Sequence, residues 1–543
     1  MSLSMIDCSS CCWIIQIVLP LVLVLVLLAR HVKINKMKHA SRDKFHIGSK
    51  TKFLAFFHPF CASGGGGERV LWKMIHSLSE LHKEKKLNVS VVIYTAAGTK
   101  TREDILNGAC DRFGIDVGKS MKIHFVFIPT QIIALMTAEA WPRFTMIGQS
   151  IGTLAVAWHG LTIATPDTYI DTTGAAFTMP LAKLLFGAKC VCYTHYPTIS
   201  TDMLKLVYER RSSYNHDADV SSSKLKSALK LAYYCFFAFA YAIAGTAADL
   251  VMVNSSWTCG HIAWLWRWTA SKPIVLYPPC AVDEFALAST LTEQEQHQQS
   301  LCQHFDQNED VDQKDSGSNN MSFREIVSVA QFRPEKDHEL QLKAFSQLIK
   351  SKPSKTKNPN PNQKSMFNPK YNDVKLMLLG SCRDEGDADR VTKLKELAKK
   401  LEIEHRVEFI LNVPFLGKGG VINHLQRARV GLHTMWNEHF GIGVVEMMAA
   451  GCIVVAHSSA GPLMDIVVPT LSEDKLNGVG FLANDVDSFA TQMAHALDLD
   501  RIERSEVIER ALIHSRRFSD ESFSDSLYAI INGAYNQKHA QLF

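Results

Sequence analysis

Two glutamates separated by seven residues, Glu438 and Glu446, enclose a glycine pair in Asn437-Glu438-His439-Phe440-Gly441-Ile442-Gly443-Val444-Val445-Glu446, and Met447-Met448-Ala449-Ala450-Gly451 follows. The pattern puts Glu438 in a loop, Glu446 about two turns into an apolar helix, and Gly451 where that helix should stop. This layout suits a nucleotide sugar. Around Phe440, Gly441 and Gly443 the backbone can approach a diphosphate, and the helix N-terminus adds unpaired N–H groups and a favourable dipole. The carboxylates would then accept hydrogen bonds from sugar hydroxyls at either side of the phosphates. A buried helix carrying two incidental acids is the plain alternative on spacing alone.

A second group stands in Gln331-Phe332-Arg333-Pro334-Glu335-Lys336-Asp337-His338, which follows a strand and opens a helix. Arg333 and Lys336 fall at the same sheet edge as the Glu438 loop. Two fixed cations there would offset charge growing on a leaving diphosphate, so no metal or other cofactor is expected. The alternative is a solvated helix start with Glu335 and Asp337 as its N-terminal acids.

The first half of the chain contributes a glycine loop and a histidine. Lys52 to Pro59 reads as a buried strand and leads into Ser63-Gly64-Gly65-Gly66-Gly67-Glu68-Arg69, after which apolar residues recur at helical spacing through Leu78. Strand, glycine loop and helix open an α/β unit whose backbone a ligand can approach, with Gly65, Gly66 and Gly67 as candidate contacts. The loop is neither GxGxxG nor a Walker motif. Lys189 to Thr194 is a strand ending at His195, and ligands of open α/β sheets bind beyond the carboxyl ends of strands.

These residues need two alternating α/β units to hold them. In the first half, strands are expected at Val89–Thr95, Lys122–Ile128, Ala155–His159, Thr165–Thr172 and Asp249–Asn254. In the second, they are expected at 326–332, 374–379, 407–410, 430–433 and 453–456, with helices at 338–349, 388–401, 419–427, 443–450 and 486–497. Ser200–Asp219, Ala288–Ser322 and Ser351–Asn372 are polar; the first could fold over an acceptor, and the other two read as insertions.

Trp13–Ala29 is an apolar run close to the minimum for a transmembrane helix, with Arg30, Lys33, Lys36, Lys38, Arg42 and Lys44 after it and no basic residue before it. The positive-inside rule places everything downstream in the cytoplasm, where the sequons at Asn88, Asn254 and Asn320 would go unused. Leu231–Ala244 is apolar on all faces. Together with Trp257, Trp264, Trp266, Trp268 and Arg267, it is either core or a surface that dips into a membrane interface. A formal charge of +4 on 543 residues gives no case for nucleic acid. The thirteen cysteines, many in apolar runs, read as reduced core thiols.

At Glu438 and Glu446 the chain resembles the GT-B retaining glycosyltransferases of family 4. With Gly64–Arg69, Thr194–Thr198, Asn254–Thr258 and Phe332–His338, it is similar to the alpha-1,2-mannosyltransferases of the dolichol-linked oligosaccharide pathway. The resemblance implies two Rossmann-like doubly wound domains facing a cleft, behind an N-terminal transmembrane helix. It implies transfer of two alpha-1,2-linked mannoses from GDP-mannose to a Man3GlcNAc2-diphosphodolichol, on the cytosolic face of the endoplasmic reticulum membrane, beside other mannosyltransferases of the pathway. It carries the ribose diol to Glu446, the donor mannose to Glu438, the diphosphate to Lys336, and the reacting hydroxyl to His195. The family often has an arginine where this chain has Gln331, so Arg333 would reach that phosphate from a shifted position, or Lys336 would act with less help. A nucleotide-sugar epimerase or phosphorylase, and a membrane-tethered scaffold, are the competing readings.

The expected organisation is a lumenal N-terminus (1–12), a transmembrane anchor (13–29) and a basic linker (30–50). An acceptor-side domain (51–280), a polar insertion (281–323) and a nucleotide-sugar domain (324–500) follow, and C-terminal helices (501–543) pack back on the first domain.

Overall fold

The computed structural model describes residues 8–96, 98, 100–117, 121–208, 224–285, 324–351, 367–414, 419–467, 478–533 and 541–543. Most of both polar insertions and residues 209–219 of the Ser200 segment lie outside them; the rest of that segment includes a helix, Thr201–Tyr208.

Two fully parallel sheets organise the chain. The first contains β1 (Lys52–Phe57), β2 (Val89–Ala96), β3 (Ile123–Ile128), β4 (Thr168–Asp171), β5 (Lys189–Thr194), β6 (Leu250–Val253) and β7 (Ile274–Val275), in the order β3-β2-β1-β4-β5-β6-β7. The second contains β8 (Arg324–Val329), β9 (Val374–Gly380), β10 (Val407–Leu411), β11 (Val430–His433), β12 (Ile453–His457) and β13 (Phe481–Ala483), in the order β10-β9-β8-β11-β12-β13. A parallel sheet needs crossover helices on both faces, so its strands are buried on both sides and read as continuous apolar runs. Phe53 to Phe57 of β1 are all buried, with alternate residues in the two cores on either side of the sheet.

Strand order reverses between β1 and β4 and again between β8 and β11. At such a switch point the crossover helices leave in opposite directions, and a crevice opens beyond the strands' carboxyl ends. The glycine loop follows β1, the Arg333–Lys336 loop follows β8, and the Glu438 loop follows β11.

Two sequence expectations change. Ala155–His159 is not a strand but part of the helix Thr145–Ile163. Gly148, Gly152 and Gly160 give this helix a small-residue face at helical spacing; a Cβ on Gly152 would stand 2.0 Å from the Leu135 carbonyl oxygen. The second sheet also gains β13, too short to show a pattern in sequence.

The chain ends on the domain where it began. Helix Asp520–Ile531 packs against helix Gly66–Lys83, and Phe523, Leu527, Ile530, Leu542 and Phe543 enter the core of the first sheet. The two crossings between domains run side by side, with Cys280 N–H donating to the Phe518 carbonyl at 2.8 Å. Buried Arg69 fastens them. Its Nε donates to the Pro279 carbonyl at 3.1 Å and its Nη2 meets Asp520 at 2.9 Å. At the other end, Cys8–Phe45 is one continuous helix containing the whole Trp13–Ala29 run.

Candidate functional site

The loop after β8 and the loop after β11 are tied to each other before any ligand arrives. Thr434 donates to the Lys336 carbonyl at 2.9 Å and accepts from Gln341 Nε2 at 2.9 Å. Asp337, directly after Lys336, and Asn437, directly before Glu438, both take left-handed backbone, with φ of 46° and 54°. Such conformations cost about 1 kcal/mol or more each. Local bonds hold them: Asp337 caps helix His338–Lys350 through Leu340 N–H, and Asn437 N–H donates to Ser459 Oγ at 2.8 Å.

This strained frame aims Lys336 and Glu438 at each other. Lys336 Nζ lies 2.5 Å from Glu438 Oε2, and His433 Nε2 stands 3.1 Å from the same oxygen. Burial would raise the Glu438 carboxyl, but Lys336 and His433 hold it well below the usual carboxylate range. Glu438 is therefore an anion at neutral pH, able to accept from sugar hydroxyls, with a cation at hand for a phosphate.

Gly441 starts the next helix, Ile442–Ala449, from φ 112°, a region that suits glycine. No side chain caps this helix, so its first N–H groups remain available to an anion. Gly443 is its second residue and faces the end of β8, its Cβ position 3.5 Å from the Val329 carbonyl. Glu446 lies little more than one turn in, not two. Burial pushes its carboxyl up to about 7, against the opposing pull of Arg69, and Glu284 adds to the rise.

Phe440 does not line the crevice. Its ring is buried with Tyr277 at 5.8 Å and Phe518 at 5.3 Å, so it anchors the Glu438 loop to the interdomain crossings. Arg333 also stands apart from the Lys336–Glu438 pair. It meets Glu335 at 3.7 Å and lines a separate cavity of about 350 Å³ with Arg390, Lys393 and His338.

The first domain supplies the opposite wall. A Cβ on Gly66 would lie 2.7 Å from Ile442 Cδ1, so the glycine loop directly abuts the start of the Glu446 helix. The Gly65 N–H is engaged by the Glu68 carboxylate, which caps helix Gly66–Lys83, and that donor is turned inward. A Cβ on Gly67 would stand 3.4 Å from His195 Nε2, an atom that is buried without a hydrogen-bond partner. Burial pushes His195 down to about 4, while the backbone of Thr172 bonds the ring. A neutral imidazole with one unused nitrogen can take a hydroxyl hydrogen bond, but it is a weak base.

Contacts between the domains involve residues that sequence reasoning missed. Asn437 Nδ2 donates to Asp202 Oδ2 at 2.9 Å, Ser256 N–H donates to Asp465 Oδ2 at 2.9 Å, and Tyr277 donates to Asp465 Oδ1 at 2.9 Å. His439 stacks on Tyr196 at 4.1 Å and on Trp257 at 5.4 Å. Trp257 and Trp266 are thus buried rather than available to a membrane. His433 and His439 could have been found in sequence, one ending a strand five residues before Glu438 and the other beside it. Asp202 and Asp465 carry no such signal, because only the approach of the two domains brings them in.

Residues 51–266 match the family described as ALG11 mannosyltransferase N-terminus, and residues 310–513 match glycosyl transferases group 1. The chain is 40% identical to the GDP-Man:Man(3)GlcNAc(2)-PP-Dol alpha-1,2-mannosyltransferase of Xenopus laevis, over 94% of this chain and 93% of that one. The chain belongs to that mannosyltransferase family. The Homo sapiens member is 39% identical over 90% of this chain and 88% of its own. Among solved structures, the mannosyltransferase chain shares its GT-B fold with an alpha,alpha-trehalose 6-phosphate synthase from Burkholderia multivorans, at 12% identity and a TM-score of 0.57 over 88% of this chain and 98% of that one. A glycosyltransferase from Rickettsia africae aligns with a TM-score of 0.52 and 14% identity over 89% and 98%. The two Rossmann-like domains and the hexosyltransferase class thus agree with the sequence reading.

Proposed function

We propose that this protein transfers mannose from GDP-mannose to a dolichol-diphosphate-linked Man3GlcNAc2, adding two successive alpha-1,2-mannoses with retention, at the cytosolic face of the endoplasmic reticulum membrane. The observation that carries this reading is the Lys336–Glu438 pair beside the uncapped helix that bears Glu446, at the switch point of the second sheet. Donor and acceptor are those for which relatives matching nearly end to end are named. The single-pass anchor Trp13–Ala29 and the positive residues after it set the orientation.

In this reading the diphosphate lies between Lys336 and the N–H groups of Ile442 and Gly443. The ribose diol meets Glu446, and the mannose hydroxyls displace Lys336 from Glu438. The mannose C1–O bond to phosphate breaks as the acceptor hydroxyl attacks from the same face. Its proton passes to the departing phosphate oxygen, and GDP leaves. His195, neutral and weakly basic, orients the acceptor hydroxyl without taking its proton. Lys336 and the helix N-terminus neutralise the leaving charge with no metal assigned, so a chelator should leave turnover unchanged.

The test supplies membranes containing the full chain with labelled GDP-mannose and a synthetic trimannosyl lipid acceptor, followed by linkage analysis. Two alpha-1,2-linked mannoses are expected. A different linkage, or transfer from UDP-sugars only, overturns the reading.

A further inference from the structure

The two faces of the first sheet meet solvent differently. Gly66–Lys83, Arg102–Phe113 and Asp520–Ile531 cover one face, and among the described residues none of them exposes a large apolar side chain. Thr145–Ile163, Thr178–Phe186 and Lys224–Gly245 cover the other, and they expose Trp158, Leu184, Leu185, Leu229, Phe236 and Phe239. A soluble domain has no reason to concentrate apolar surface on one of two equivalent layers.

Helix Lys224–Gly245 shows what this surface is for. Its inner residues Tyr234, Phe237 and Tyr241 are buried in the core of the sheet. Its outer face reads Leu229, Ala232, Cys235, Phe236, Phe239 and Ile243, all exposed, with Phe236 and Ile243 at 63% and 50%. Water demands polar residues there. The segment Ser227–Gly245 has the length and hydropathy of a membrane span. With 39% of it buried inside the protein, however, the segment is not free to cross a bilayer, and its exposed apolar face suits lying along one. At its end, Phe239 meets exposed Trp268 at 5.8 Å, and the Arg267 guanidinium sits 5.4 Å and 5.3 Å over the rings of Trp264 and Trp268. Tryptophan paired with arginine suits the headgroup level.

The anchor helix arrives on this same face without a linker. Val24, Leu25 and Leu28 are exposed on Cys8–Phe45, and two residues beyond Leu28, Arg30 Nε donates to the Leu184 carbonyl at 2.6 Å. Lys38 donates to the Gly187 carbonyl at 3.0 Å, and Arg42 pairs with Asp167 at 2.5 Å. The apolar run therefore ends level with Leu184 and Leu185, held there by four turns of packed helix.

We propose that this face of the first domain docks into the bilayer surface, with helix Lys224–Gly245 in the interfacial plane and Cys8–Phe45 acting as a rigid strut. The inference rests on the anchor assignment above, not on the donor or the reaction. It also places the acceptor's entry. A cavity of about 610 Å³ lined by Phe144, Met203, Leu229 and Tyr233 opens between the lipid-facing helix and Thr198, three residues past His195.

Two native thiols provide the test. Cys235 is exposed on the proposed lipid face, and Cys110 is exposed on helix Arg102–Phe113 of the opposite layer. The full chain is labelled with a thiol-reactive fluorophore and placed in vesicles containing shallow nitroxide-labelled lipid; Cys235→Ser and Cys110→Ser chains give each site's share by difference. The Cys235 signal is expected to be quenched and the Cys110 signal not. An unquenched Cys235, whether wet or covered by a protein partner, overturns the proposal. A Phe236→Asp/Phe239→Asp chain should lose about tenfold in turnover on a long-chain lipid acceptor, with donor binding and melting temperature retained. Unchanged turnover on that acceptor would also overturn it. The quenching result stands even if the chain transfers a different sugar, so the two readings can fail separately.

Discussion

The ammonium of Lys336 and the carboxylate of Glu438 stand 2.5 Å apart, each side chain at least three-quarters buried, on loops that follow adjacent strands of one parallel sheet. The pair stores opposite charges where a nucleotide sugar needs both, a cation for the diphosphate and an anion for the mannose hydroxyls. In the proposed reaction, donor binding would exchange this internal contact for two external ones, Lys336 to the diphosphate and Glu438 to the mannose hydroxyls.

Removing Lys336 should therefore cost twice. Lys336→Ala leaves Glu438 charged with only His433 beside it, which should destabilise the chain by about 1–3 kcal/mol. It should lower turnover about 10²-fold or more through loss of charge stabilisation. Thermal melting and initial rates on a purified lipid acceptor measure the two effects, and normal turnover would remove the lysine from the mechanism.

Glu446 should make both stability and donor use depend on pH near neutrality. Its carboxyl is raised by burial from the usual 4.5 to about 7, so the folded chain holds the proton more tightly than the unfolded chain. Its contribution to stability is full below pH 4.5 and is lost as pH rises through 7. Glu446→Gln should therefore melt at a higher temperature than wild type at pH 8 and at the same temperature at pH 4.5. Donor affinity should run the opposite way. The carboxylate accepts from two ribose hydroxyls, so wild-type affinity weakens as pH falls below about 7, and the glutamine chain loses this dependence.

The glycine loop acts through contact with Ile442. Gly66→Val should force the loops apart and cost up to about 10²-fold in turnover, the scale of a 1 Å misplacement. The backbone at Gly66 is helical, so the variant should fold. Combining it with Ile442→Ala should recover part of the loss, and strictly additive effects in that double-mutant cycle would count against a direct contact.

His195 should show no titration of its own between pH 6 and pH 8, because burial holds it near 4. His195→Phe keeps an aromatic ring but removes the unpartnered nitrogen. Turnover should fall about 10²-fold while GDP-mannose affinity is kept, as steady-state kinetics and calorimetry would show. Equal losses in both would place His195 on the donor side.

The architecture was legible where the code is local. β9, β10, β11 and β12 to within a residue, and the helix that Gly451 stops, follow from apolar runs and glycine positions. Thr145–Ile163 was misread because its apolar stretch is short and its helical signal lies in glycines, which sequence patterns treat as breaks. Lys336 and Glu438 were readable because each sits in the loop beyond a strand's carboxyl end, and Glu446 because it falls in the apolar helix that follows the glycine pair. Phe440 and Arg333 sit in the same motifs, yet Phe440 packs inward and Arg333 turns to another cavity, since side-chain direction depends on packing partners far along the chain. Asp202, Asp465 and the Tyr196–His439–Trp257 stack belong to the domain interface, which no local pattern encodes.

The central claim is that Glu438 reads the mannose while Lys336 holds the diphosphate. Calorimetric titration of the full chain with GDP and with GDP-mannose, in wild type and Glu438→Gln, tests it most directly. The account predicts that Glu438→Gln loses the preference for GDP-mannose and binds GDP as well as or better than wild type, because Lys336 is released from its carboxylate. An undiminished preference for GDP-mannose, or an equal loss of both ligands, would contradict it.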